Sequence, residues 1–130
     1  MMSESEIQQY VQAEAKYFNC TLMRNNVGAL KDDTGRTVRY GLGNISKEHN
    51  DRIKSSDLIG ITTILITPDM VGQMVGVFTA LEVKKQDWNE NKKLDAREIA
   101  QKNFIDWVIS CGGIASFINS VDKLNTIFRK

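Results

Sequence analysis

The chain has 130 residues, 42% of them apolar and 25% charged, with a single proline. That length suits one globular domain, residues 1–130, which buries roughly two-thirds of its unfolded surface without needing a disulfide or a structural metal. Seventeen basic residues against sixteen acidic ones leave a net charge of +1, which excludes a strongly basic nucleic-acid coat and an acidic tail.

No apolar run reaches the length of about 18 residues needed to cross a bilayer, so no membrane partner is expected. Met1–Glu6 has neither the basic nor the apolar region of a secretory signal, and a cytoplasmic location is expected. Cys20 and Cys111 are isolated thiols, and His49 is the only histidine. Together they exclude zinc-type Cys/His clusters and any two-histidine metal site.

Ser3 with Glu6 has the form of a capping box, and Ile7, Tyr10, Val11 and Phe18 follow at helical spacing, which predicts a helix over about 3–18. Residues 20–24 and 36–40 look extended and flank the turn sequence Asp32-Asp33-Thr34-Gly35, so they are expected to pair as a hairpin. Residues 41–50 read as a polar loop. The runs 58–67 and 74–84, separated by Pro68-Asp69 and Gly72, predict two adjacent antiparallel strands. A helix begins at Asp95 with an apolar face of Ile99, Phe104, Val108 and Cys111, and Gly112-Gly113 ends it. A strand at 114–118 and a short helix at 121–128 complete a mixed β-sheet flanked by helices, an α/β fold.

Charge is distributed unevenly. Residues 21–54 carry seven basic side chains against four acidic, and residues 83–102 carry six against four. Between them, residues 55–82 contain Asp57, Asp69 and Glu82 and no basic residue. An acidic, apolar block between basic ones suits carboxylate ligands bordered by phosphate contacts.

Leu81-Glu82-Val83-Lys84-Lys85 closes an apolar strand, and strand alternation puts Glu82 and Lys84 on one face. Asp57 stands just before the preceding strand, so antiparallel pairing would return it to the same end as Glu82. Two carboxylates and a lysine suit a hard, oxygen-ligated Mg²⁺ and a phosphodiester.

At these residues the chain resembles the PD-(D/E)xK nuclease superfamily and, within it, the virus-type replication-repair nuclease (VRR-NUC) family. The matching pieces, in order, are Glu4 in Glu4-Ser5-Glu6-Ile7-Gln8, Arg24-Asn25-Asn26, Asp57-Leu58-Ile59-Gly60, Glu82-Val83-Lys84, Gln101 and Gly112-Gly113. Ser56 occupies the place of the proline that often precedes the aspartate. The resemblance implies a restriction-endonuclease-like core and a Mg²⁺- or Mn²⁺-dependent DNA endonuclease. Asp57, Glu82 and the Val83 carbonyl are the implied metal ligands, Lys84 the implied aid to hydrolysis, and Gln101 its partner on the following helix.

Glu4 is the preferred helical carboxylate because it shares a face with Ile7 and Val11, with Glu6 and Glu14 as alternatives. Arg24, Asn25 and Asn26, together with Lys31, Arg36, Arg39, Lys85, Lys92 and Lys93, are candidate DNA-backbone contacts. Trp88, in a polar connection, is a candidate for stacking on a base or a partner subunit; Trp107 is expected to pack. Small stand-alone relatives resemble Holliday-junction resolvases, which implies branched DNA as substrate, a homodimer, and a bacterial or phage-infected cell as setting. The alternatives are a nuclease for flaps, nicks or linear duplex, and a noncatalytic nucleic-acid-binding subunit.

Overall fold

The computed structural model describes residues 1–128. It is a mixed α/β protein that divides into two compact units, Met1–Gly60 and Ile61–Lys130. Among the described residues no helix is long and apolar enough to cross a membrane.

The first unit opens with α1 (Glu4–Glu14), whose N-cap Ser3 accepts the Glu6 backbone N–H on its hydroxyl. The helix tightens into a 3₁₀ turn at Ala15–Phe18 and stops at Asn19, which adopts the left-handed conformation at φ 57°. Strand β1 (Cys20–Arg24) follows and is joined to α1 by the Gln12 amide, which donates to the Leu22 carbonyl at 3.1 Å. The expected hairpin exists with a different first strand. β2 (Gly28–Lys31) pairs antiparallel with β3 (Thr37–Tyr40), Lys31 opposite Thr37. Asp32 tightens their turn by accepting the N–H groups of Thr34 and Arg36. The expected loop holds the short helix α2 (Lys47–Arg52), because the Ser46 hydroxyl caps it by accepting the His49 N–H.

β1 pairs with β4 (Leu58–Thr62), not with β3. A Cβ on Gly60 would lie 1.8 Å from the Thr21 carbonyl oxygen, so this close approach admits only glycine.

In the second unit β5 (Thr79–Val83) runs parallel to β6 (Ile114–Ile118), with Glu82 opposite Phe117. Parallel strands need a crossover, supplied by α3 (Ala96–Ser110). Among the described residues β4 pairs with β1 and β5 with β6, so the antiparallel pairing expected between the strands that follow Asp57 and lead to Glu82 is not found, and both strands are shorter than expected. Pro68 starts a 3₁₀ turn, Gly72 takes φ 87°, and residues 63–67 and 71–78 carry no ladder.

Helix α3 starts at Asp95 with a complete capping box. The Asp95 carboxylate accepts the Glu98 N–H at 2.8 Å, and the Glu98 carboxylate accepts the Asp95 N–H at 3.0 Å. It ends at Gly112, φ 95°. Its inward stripe is Glu98, Gln101, Ile105 and Val108, the i, i+3, i+7, i+10 positions. Ile99 and Phe104, expected in the core, are exposed. Ile105 and Val108 pack with Ile61, Ala115 and Phe117 as the buried core, with Trp88 against it. The chain closes with a 3₁₀ turn at Val121–Lys123 and α4 (Leu124–Ile127).

Candidate functional site

On the first unit, Glu4 and Asp57 line one cleft of about 350 Å³. Ile7, Gln8 and Val11 of α1 and Leu58 of β4 form its remaining walls. Glu4, Ile7 and Val11 lie on one helical face, so the first carboxylate of α1 points where Asp57 is. Glu6 and Glu14 do not line the cleft.

Asp57 sits in a bend held from one side by Asn25. The Asn25 backbone N–H donates to the Asp57 carbonyl at 2.9 Å. Its side-chain amide donates to the Ser55 hydroxyl and the Ser56 carbonyl at 2.8 and 2.9 Å, and its oxygen accepts the Leu42 N–H. The side chain of Asn25 is therefore engaged inside the fold. Arg24 and Asn26 on either side are exposed. Arg39 is likewise engaged, donating to Asn44, while Lys31 and Arg36 stand exposed on the hairpin.

On the second unit, Glu82, Lys84 and Gln101 form one hydrogen-bonded series. The Lys84 ammonium donates to the Gln101 side-chain oxygen at 2.6 Å, and the Gln101 amide donates to the Glu82 carboxylate at 2.8 Å. Strand alternation puts Glu82 and Lys84 on the same face, and the Lys84 N–H extends the ladder by donating to the Ile118 carbonyl at 2.8 Å. All three side chains are half-buried. A single amide thus spaces the Lys84 side chain from the Glu82 side chain and fixes both. Val83, between them, has an exposed side chain.

Two clefts border this series. One, of about 360 Å³, has Glu82 and Leu81 of β5 on one wall and Arg97, Gln101 and Phe104 of α3 on the other. Sequence reasoning passed over Arg97, although it lies four residues before Gln101 and hence on the same helical face. The second, of about 370 Å³, is lined by Lys84, Lys85 and Lys92 with Asp87, Trp88 and Asn89. Lys93 is exposed and outside that lining. Lys92 also reaches the Glu98 carboxylate at 3.6 Å.

Glu98, also missed, is almost completely buried at 6% exposure. The Asp95 backbone N–H and then the Trp88 indole N–H hold its carboxyl down at about 2, with Lys92 and Lys84 adding to the effect against the cost of burial. It is a fixed negative charge beneath a cluster of lysines.

Among the described residues there is no group of three or more His, Cys, Asp or Glu side chains set to hold a metal ion. The donors present are carboxylates, in the pair Glu4 and Asp57 and in the single Glu82. That donor class fits Mg²⁺ or Mn²⁺, which take one or two carboxylates and complete their shells with water and phosphate oxygens. Comparison with known protein families finds no match, and neither curated proteins nor solved structures match the chain.

Proposed function

We propose that the chain is a Mg²⁺- or Mn²⁺-dependent DNA endonuclease with a PD-(D/E)xK core of the VRR-NUC type. The observation that carries the reading is the bridge of Gln101 between Lys84 and Glu82. A carboxylate, an ammonium and an amide from a separate helix, held in one series beside lysine-lined and arginine-lined clefts, are the parts that phosphodiester hydrolysis needs.

By the resemblance, Asp57 and Glu4 on the first unit, and Glu82 with the Val83 carbonyl on the second, are each assigned as oxygen donors to the ion. The bound ion would supply a water of lowered pKa and offset charge on the phosphate. Lys84 keeps two of its three N–H donors free of Gln101, and these can hold the attacking water or a non-bridging phosphate oxygen. Gln101 fixes the ammonium's position and prevents it from collapsing onto Glu82. Lys85 and Lys92 draw the DNA backbone to this side of the unit. Water is the nucleophile, so no covalent enzyme intermediate forms.

Branched DNA is the proposed substrate class, by the resemblance to small Holliday-junction resolvases. A homodimer supplies the second cut on a symmetric junction. The test is incubation of the purified protein with a four-way junction, a flap and a linear duplex, each with Mg²⁺, Mn²⁺ or EDTA, beside Glu82→Ala and Lys84→Ala. Metal-dependent cutting of the junction, lost in both variants, is the expected result. Cutting in EDTA, or cutting unaffected by both substitutions, overturns the mechanism. Preferred cutting of flap or linear DNA overturns the substrate, and binding without cleavage identifies a noncatalytic nucleic-acid-binding subunit.

A further inference from the structure

Trp88 lies in a polar connection, where a tryptophan has no obvious use. Its ring packs on Phe117 with centroids 4.6 Å apart and planes tilted by 45°. Lys84 sits over both rings, its ammonium 5.4 Å from the Trp88 centroid and 5.5 Å from that of Phe117. Those separations lie within the range in which a cation is attracted to an aromatic face.

The indole is itself fixed at two points. Its N–H donates to the buried Glu98 carboxylate, and its backbone carbonyl accepts the Asn119 amide at 2.9 Å. Glu98 is locked in turn by the capping box of α3, and Gln101 stands three residues further along the same inward stripe.

From this geometry we infer that Trp88 and Glu98 are positioning residues for Lys84: Glu98 orients the indole, and the indole with Phe117 forms an aromatic floor that holds the ammonium against Gln101. The functional meaning rests on the nuclease reading, whereas the placement of Lys84 does not. A lysine side chain is long and rich in rotamers, so holding its end in one place costs entropy. One hydrogen bond to Gln101 leaves its four-carbon stem able to swing, and a floor of two rings removes that freedom. The same floor explains why a tryptophan stands between polar neighbours: its face serves Lys84 and its edge serves Glu98.

The experiment has two arms on the full-length protein. In the first, ¹³C-lysine NMR of the metal-free protein locates the Lys84 ε-methylene resonance, assigned by its loss in Lys84→Arg. It should lie upfield of the other lysines through the ring currents of Trp88 and Phe117, stay upfield in Trp88→Phe, and move back toward the lysine envelope in Trp88→Leu, where only the Phe117 ring remains. In the second, cleavage kinetics should show kcat falling about ten- to a hundredfold in Trp88→Leu with KM for DNA little changed. Trp88→Phe should retain most of the rate, and Glu98→Gln should lie between.

An unshifted Lys84 resonance in the wild-type protein overturns the inference, even if Trp88→Leu fails to fold. So does a folded Trp88→Leu that cuts with wild-type kcat. A shifted resonance that moves back in Trp88→Leu, in a protein that never cuts DNA, supports the positioning and defeats the nuclease reading.

Discussion

Gln101 donates its side-chain amide to Glu82 at 2.8 Å while its oxygen accepts the Lys84 ammonium, so neither charged group can move without the other. Gln101→Ala leaves the two charges adjacent with nothing between them. On the proposed nuclease function, cleavage is expected to fall by about ten- to a hundredfold. Gln101→Glu is expected to be worse, because a second carboxylate beside Glu82 repels it. Single-turnover cleavage of a four-way junction at saturating protein checks both.

Asn25 ties the segment before β4 to the end of β1 through bonds from its backbone and its side chain. Asn25→Ala should destabilise the protein by about 1–3 kcal/mol, the net worth of three side-chain hydrogen bonds. Asn25→Asp should do the same, since a carboxylate cannot donate to Ser55 or Ser56. Arg24→Ala, one residue earlier and exposed, should leave stability unchanged. Urea denaturation monitored by circular dichroism makes the comparison.

The carboxyl of Glu98 falls from 4.5 to about 2 on folding, first through the Asp95 N–H and then through Trp88. A carboxyl depressed in the folded state stabilises the fold above its unfolded value and loses that contribution as pH drops through its folded value. Wild-type stability should therefore decline between about pH 4.5 and pH 2 more steeply than that of Glu98→Gln. Denaturant midpoints of the two proteins across that window check the sign.

Gly113 is enclosed: a Cβ there would meet the Val108 side chain at 2.7 Å and the Phe78 carbonyl at 2.8 Å. Gly76 has open space around it. Gly113→Ala should cost about 1–3 kcal/mol or more by overpacking, whereas Gly76→Ala should be neutral. Thermal melts of the two variants side by side distinguish them.

Signals carried by consecutive residues are legible in the sequence itself. Ser3 starts α1, Asp95 starts α3, Gly112 ends it, and the run from Ile114 forms β6 where expected. Partner choice is not legible in the same way. The β-branched runs after Ile61 and before Thr79 satisfy strand propensity, but propensity says nothing about which strand a segment meets. The crossover through α3 gives β5 a parallel neighbour, and Gly60 lets β4 approach β1.

The same limit applies to α3. Counting apolar residues selects Ile99 and Phe104, yet the inward stripe includes Glu98 and Gln101, polar positions made tolerable by their hydrogen bonds. The place of Trp88 is hidden for the related reason that its polar neighbours in sequence are not its neighbours in space. Glu82, Lys84 and Gln101 can be nominated together only by resemblance; their hydrogen bonds require the fold.

The register of β5 against β6 sets Glu82 opposite Phe117. A slip of one residue would bring Ser116 or Ile118 to that place and turn the Phe117 ring to the other side of the strand. The lysine would then lose part of its floor while the sheet kept almost all its backbone bonds. The same slip would take buried Phe117 out of the core, so the pairing that builds the core of this unit is also the one that places the lysine.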